Sequence, residues 1–293
     1  MAILIDGKEL AARKREEIAK ETKELAEKTG TTPGLAVVIV GDDPASQTYV
    51  RNKAKACEEV GFYSEVVSLP ANTSQRDLLK VIAELNERID IDGILVQLPL
   101  PKHINEKAVI GKISPKKDVD GFTPSNAGKV LIGSPKYAPC TPAGIMELVK
   151  STGINIEGKH CVIVGRSNIV GKPVAMMMLH ENATVTVCHS HTANLKGFTS
   201  KADILIAAVG KAGFITGDMV KEGAVVIDVG INRNDEGKLC GDVNFEQVEP
   251  KAGFITPVPG GVGPMTITML LKNTLDAALY FTEEREKIRK KKN

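Results

Sequence analysis

Apolar residues recur along this chain with two periods. Spacings of three and four mark helices, and short unbroken runs mark buried strands. "KELAARKREEIAKETKELAEKT" (8–29) carries the helical period and stops at Gly30. "GLAVVIVGDDP" (34–44) reads as a buried strand running into a turn. Asp43 and Pro44 then predict the cap and first turn of a second helix, which continues as "QTYVRNKAKACEEVG" (47–61). Positions 49, 53, 56 and 60 share one stripe of that helix and read Tyr, Lys, Ala, Val. The adjacent stripe, Val50, Ala54 and Cys57, is apolar too. Lys53 therefore sits at the edge of an apolar face, one turn after Tyr49. From the helix alone, a snorkelling lysine is the simpler reading.

The alternation continues. "YSEVVSLP" is a strand, "SQRDLLKVIAELNER" a helix after a Ser cap, and "IDGILVQLPLP" (91–101) a strand stopped by Pro99 and Pro101. A short helix leads into a loop, "SPKKDVDGFTPSNAG" (114–128). After the helix "CTPAGIMELVKSTG" (140–153) the pattern restarts: "KHCVIVG" a strand, "GKPVAMMMLHEN" a helix, then "ATVTVCHS", "KADILIAAVG" and "GAVVIDVGIN" as strands. The last helix is expected from Met265 to about Lys287, with Pro264 at its start. Strand and helix in alternation predict two α/β domains with parallel sheets, divided near residues 136–150.

Composition narrows the classes. The chain has 293 residues, 42% hydrophobic and 25% charged, with a net charge of +2. That balance gives no field for nucleic acid. The basic tail "EKIRKKKN" reads as a solvated helix end. No apolar run reaches the roughly 18 residues of a membrane span, and no signal peptide opens the chain. Cys57, Cys140, Cys161, Cys188 and Cys240 fit neither a zinc spacing nor CxxC, so reduced thiols in a cytoplasmic protein are expected.

Candidate chemistry begins in the second half. "HCVIVGRSNIVGKPVA" sets Gly165 and Gly171 between a strand and a helix, where backbone N–H groups can hold a pyrophosphate. The spacing is not GxGxxG, and this fragment alone is equally a plain glycine-containing turn. An NAD site wants an acid about 20 residues further on. The next strand instead ends in Ser190, and Arg166 stands in the glycine turn with a fork suited to phosphate. NADP is the expected coenzyme. His189 and His191 have no further ligands nearby in sequence, and no metal is expected.

In the first half, the second helix begins just after a predicted strand end, Gln97 lies at the end of "GILVQLPLP", and Asp118 and Asp120 lie in the loop "KKDVDGF"; all are expected to converge on one edge beyond the carboxyl ends of the strands. Parallel sheets bind ligands there. A strand-end amide and an Asp-Gly turn are the local alternatives.

Seven motifs in order, "GDDPASQTYVRNK", "GILVQLPLP", "KDVDGF", "CTPAG", "GRSNIVGKP", "DVGIN" and "PVPGGVGPMT", resemble the bifunctional methylenetetrahydrofolate dehydrogenase/cyclohydrolase family across nearly the whole chain. The glycine spacing that fails the general fingerprint is this family's own. The resemblance implies a cytoplasmic homodimer acting on tetrahydrofolate derivatives with NADP, without metal, nucleic acid or membrane. The activity it implies is oxidation of 5,10-methylene-tetrahydrofolate and hydrolysis of the methenyl product to 10-formyl-tetrahydrofolate; a monofunctional dehydrogenase is the alternative. It implies that Tyr49 packs along the folate, that Lys53 moves protons with lowered basicity, that Gln97 tunes it, and that Asp120 holds the pterin's amino edge. Gly165, Arg166, Ser167, Ser190 and Ile231 match coenzyme contacts. Pro257, Gly260 and Gly261 match the family's loop lying over folate and nicotinamide. On this reading residues 1–138 plus 272–293 form the catalytic, folate-binding domain. Residues 139–271 form a Rossmann-like NADP-binding domain, and the C-terminal helix returns to the first domain.

Overall fold

A computed structural model describes residues 1–234 and 236–292. Asn293, the last residue of the basic tail, lies outside the described residues. In chain order the elements are β1 (Ile3–Leu4), α1 (Gly7–Thr29), β2 (Gly34–Val40), α2 (Pro44–Glu59), β3 (Tyr63–Leu69), α3 (Gln75–Glu87), β4 (Gly93–Val96), α4 (Glu106–Lys112), α5 (Pro124–Leu131) and α6 (Cys140–Ser151). They continue as β5 (His160–Val164), α7 (Gly171–His180), β6 (Thr184–Cys188), α8 (Leu195–Thr199), β7 (Ile204–Ala207), a 3-10 turn (Gly217–Met219), β8 (Val225–Asp228), β9 (Asn232–Arg233), β10 (Leu239–Cys240), α9 (Phe245–Val248), β11 (Phe254–Ile255) and α10 (Val262–Lys292).

The chain forms two compact units. The first comprises Met1–Ala12, Lys129–Ser134 and Pro139–Thr266. Its parallel sheet runs β1-β11-β8-β7-β5-β6. β5, β7 and β8 are rich in Val and Ile because both of their faces are covered. Val162, Leu205, Val226 and Ile255 fill one core cluster. The chain leaves β5 for β6 on one side and returns through β7 on the other. The strand order therefore reverses between β5 and β7, the switch point where such sheets bind ligands.

The second unit comprises Arg13–Gly128, Pro135–Ala138 and Ile267–Asn293. Its parallel sheet runs β3-β2-β4. All seven residues of β2 are buried. Val38, Val40, Ile94 and Val96 pack against Leu78, Ile82 and Leu85 of α3 and Val109 of α4. The same reversal recurs: β2 leads to β3 on one side, and β4 returns on the other. Each unit thus has a switch point of its own.

Three local expectations need correction. Residues 124–128 are helical, within α5, where a loop is expected. Thr123 and Pro124 make the start: the Thr123 Oγ accepts from Asn126 N at 3.4 Å, its carbonyl from Ala127 N at 2.9 Å, and proline suits a first helical position. The last helix begins at Val262 and reaches Lys292, so Pro264 is its third residue. β4 ends at Val96, before either proline, and the sequence pattern overextends it. The short pieces β1, α8, β9, β10 and α9 have no signal long enough to read.

Candidate active site

The site in the second unit starts from a helix cap. Asp43 accepts from Ser46 N at 2.8 Å and Pro44 occupies the first turn, which fixes where α2 begins beyond β2. Tyr49 and Lys53 then follow one turn apart. Lys53 is 8% exposed and shares the buried face with Val50, Ala56 and Cys57. Its Nζ donates to Gln97 Oε1 at 2.9 Å. A snorkelling lysine keeps its ammonium in water; this one ends at a half-buried amide. Gln97 is held just beyond β4, its N donating to Val38 O at 2.8 Å and its Nε2 to Leu98 O at 2.7 Å. With its donor end occupied, the amide offers the lysine its oxygen. The meeting of Lys53 with Gln97 lies at the β2/β4 switch point.

Burial raises the Tyr49 phenol's pKa, keeping it neutral. The Cys57 thiol is pushed up to about 11 by burial, against a Ser64 hydrogen bond and the Lys53 charge, and stays protonated. Lys117, also buried, gives the contrast. Its Nζ donates to Leu85 O at 3.2 Å and Arg88 O at 2.5 Å, closing the C-terminal end of α3. Burial lowers its pKa, opposed by Asp92 and other nearby acids.

The two acids of "DVDG" differ. Asp118 is 1% exposed and accepts from Phe122 N (3.1 Å), Thr123 N (2.8 Å) and Asn126 Nδ2 (2.8 Å). It builds the loop. Asp120 is half-buried, directly before Gly121. Asn273 of α10 holds the same loop, its Nδ2 donating to Val119 O at 2.8 Å and Ala138 O at 2.9 Å. Sequence reading missed Asn126 and Asn273 as supports; the Thr123-Pro124 helix start was the signal for the first, and the second had none.

In the first unit Gly165 follows β5 at the β5/β7 switch point. Its φ is +132°, and a Cβ there would lie 2.2 Å from Ala208 O, just beyond β7. A Cβ on Gly171 would lie 2.2 Å from Gly165 O. The seven-residue turn closes on itself only with glycine at both ends. Ser167 Oγ accepts from Val170 N (3.1 Å) and Gly171 N (3.3 Å) at the start of α7. Arg166 is exposed in this turn. Ser190, also exposed, follows β6, which pairs with β5 through Val164 and Cys188. Ile231, exposed, follows β8. The glycine-lined turn over a helix N-terminus, with arginine and serine on neighbouring strand ends, fits a phosphorylated dinucleotide.

Pro257, Gly260 and Gly261 lie between β11 and α10 in the same unit. A Cβ on Gly7 would lie 1.9 Å from Gly261 O, so the loop rests on the first turn of α1. His189 and His191 stack edge-on with centroids 6.0 Å apart. Among the described residues no three His, Cys, Asp or Glu side chains gather to hold a metal. Nor is any helix long and apolar enough to cross a membrane.

Known proteins match both halves of the chain. The model of the tetrahydrofolate dehydrogenase/cyclohydrolase catalytic domain matches residues 5–120, and that of the NAD(P)-binding domain matches residues 139–282. The bifunctional protein FolD of Moorella thermoacetica is 63% identical over 277 residues, covering 94% of this chain and 99% of that protein. The crystal structure of the bifunctional FolD of Campylobacter jejuni superposes with a TM-score of 0.93 at 51% identity, covering 96% of this chain and 99% of that one. The Trypanosoma brucei enzyme, solved with NADP cofactor and inhibitor, gives 0.92 at 42% identity, covering 95% and 98%. The chain belongs to the tetrahydrofolate dehydrogenase/cyclohydrolase family, and is a methylenetetrahydrofolate dehydrogenase and methenyltetrahydrofolate cyclohydrolase with an NAD(P)-binding domain.

Proposed function

We propose that Lys53 is the proton carrier of the hydrolytic step, and the observation that carries this is the 2.9 Å hydrogen bond from its buried side chain to the half-buried Gln97. Water adds to the methenyl carbon, the bond from that carbon to N5 breaks, and 10-formyl-tetrahydrofolate leaves with release of one proton. A neutral amine can take the proton of the attacking water and return one to N5 as the ring opens. Burial penalises the charged amine, and Gln97 orients it without adding a charge that would hold the proton. Asp120 accepts hydrogen bonds from the pterin's amino edge, as a carboxylate can in a fixed plane. Tyr49, one turn from Lys53, lines the same folate.

In the oxidative step the nicotinamide, when bound, accepts a hydride from the bridging methylene. The folate nitrogen beside that methylene stabilises the resulting cation, so the protein's task is placement. Gly165 and Ser167 offer backbone and hydroxyl to the pyrophosphate. Arg166 and Ser190 receive the ribose phosphate, which favours NADP over NAD: no carboxylate at the end of β6 repels it. Ile231 lines the coenzyme, and the backbone of Pro257, Gly260 and Gly261 approaches the ligands closely.

The working form is a homodimer in the cytoplasm. Among the described residues β3 pairs with β2 alone, and its open edge carries Tyr63 and Val66 at 42% and 40% exposure. A second copy covering that edge would remove a hazard that sheet proteins avoid.

The test of the site is Gln97→Glu. A carboxylate beside Lys53 holds its proton, so ring opening should fall while hydride transfer to NADP persists. Equal loss of both activities would show that Gln97 serves the fold alone.

A further inference from the structure

Two buried carboxylates in the first unit belong to none of the contacts assigned so far. Asp242 is 0% exposed. Its Oδ2 accepts from Val209 N at 2.6 Å and Gly210 N at 3.0 Å; its Oδ1 accepts from Lys211 N and from Asn232 Nδ2, both at 2.8 Å. Three successive backbone donors after β7 thus wrap one carboxylate, a concavity that otherwise attracts an external anion. The fourth donor stands beside Ile231, after β8. Asp228, at the end of β8, accepts in turn from Asp242 N at 2.8 Å, Val243 N at 2.9 Å and Gly230 N at 3.0 Å. The packing leaves no slack. A Cβ on Gly230 would lie 2.3 Å from Asp242 Oδ1, and one on Gly241 1.8 Å from Asp228 Oδ2.

We propose that Asp242 is a positioning residue for the oxidative step, tying the turn after β7 to the turn carrying Ile231 so that the coenzyme meets a preformed site. The inference rests on the coenzyme reading above. Ala208, which begins the first turn, sets the close approach that only Gly165 permits, at the β5/β7 switch point. Asn232, which ends the second, is adjacent to Ile231. One carboxylate holds both, from a segment that touches neither Arg166 nor Ser190 in any described hydrogen bond. An ordered site binds its ligand without the cost of ordering the loops at that moment.

The chain's second activity supplies the control, because ring opening uses no coenzyme. Asp242→Asn keeps the volume but turns an NH2 toward backbone N–H groups in either orientation, so it loses the bonds either from Val209 and Gly210 or from Lys211 and Asn232. Titration of the free enzyme with NADP should show affinity weakened about tenfold or more, the scale of a lost charge-assisted bond. Hydrolysis of methenyl-tetrahydrofolate, measured without coenzyme, should stay within about twofold, as expected for independent sites. Asn232→Ala breaks one of the four bonds at an edge position and should give the same split at smaller amplitude. Unchanged NADP affinity in both variants would overturn the inference. So would hydrolysis falling in step with NADP binding, the sign of a merely structural acid. Arg166→Ala, titrated alongside, separates the two levels. If it weakens NADP while the Asp242 and Asn232 variants do not, the coenzyme reading stands and this inference fails; if it too is silent, both fail.

Discussion

Two pairs of like residues take unlike roles here, and only their partners tell them apart. Lys53 and Lys117 are both buried, yet one ends at a side-chain amide beyond a strand end and the other on helix carbonyls. Asp118 and Asp120 are two residues apart, yet one is spent on three donors of its own loop. Sequence reading placed Lys53 on the right face of its helix but could not exclude snorkelling, because the decisive partner lies 44 residues away. Asp118→Ala should leave buried donors unpaired and destabilise the protein by about 1–3 kcal/mol or more, read from denaturant melts. Asp120→Ala should weaken folate in both reactions; a loss of folate binding in Asp118→Ala instead would put the substrate acid at 118. At the coenzyme, Arg166→Ala should raise the KM for NADP far more than that for NAD, by about 10- to 150-fold for a lost charge-assisted contact. Equal effects on both would leave the arginine no role at the ribose phosphate.

At the scale of elements, long periodic segments were legible and short ones were not. β2, α3 and α7 follow from apolar period, cap and glycine, because local sequence and packing agree there. The helix at 124–131 was hidden by a Pro-Ser-Asn-Ala-Gly composition that resembles a loop. Strands of two residues are set by tertiary pairing and have no period to detect. Caps carry part of the site: Asp43→Ala should lower the thermal midpoint by fraying the start of α2, and Asn or Ser at 43 should restore it. The Asp43 carboxyl lies below the usual range because Ser46 donates to it, so its charge-dependent stabilisation holds above the ordinary value of 3.8 and fades as pH falls through the lowered one. Asp228 has the opposite sign. Burial lifts it to about 6, against three backbone donors, from an ordinary 3.8. The folded state therefore binds the extra proton between those values. The contribution of Asp228 to stability is greatest below about pH 4 and declines as pH rises through 6. Carboxylate-selective NMR should find its midpoint near 6; a midpoint below 4 would remove this pH dependence.

For the whole molecule, one sheet plan is used twice. Each unit places its polar residues at its own strand-order reversal, which the sequence could suggest only by alternation; strand order itself was not legible. Gly165, Arg166, Ser167, Ser190 and Ile231 fall in one unit and Lys53, Gln97 and Asp120 in the other. The open β3 edge is an expectation at this scale too: Val66→Lys should shift the sedimentation of the protein toward monomer, and an unchanged distribution would move the dimer contact elsewhere. The central claim is that hydrolysis depends on one amine while hydride transfer does not. It is tested most directly by following methenyl-tetrahydrofolate absorbance with Lys53→Met, supplied with methylene-tetrahydrofolate and NADP. Methionine keeps much of the bulk and removes the proton chemistry. Methenyl-tetrahydrofolate should form and accumulate, its hydrolysis slowed about 100- to 10,000-fold, the usual range for a lost general acid–base. A folded Lys53→Met enzyme that hydrolyses it at the wild-type rate would contradict the account.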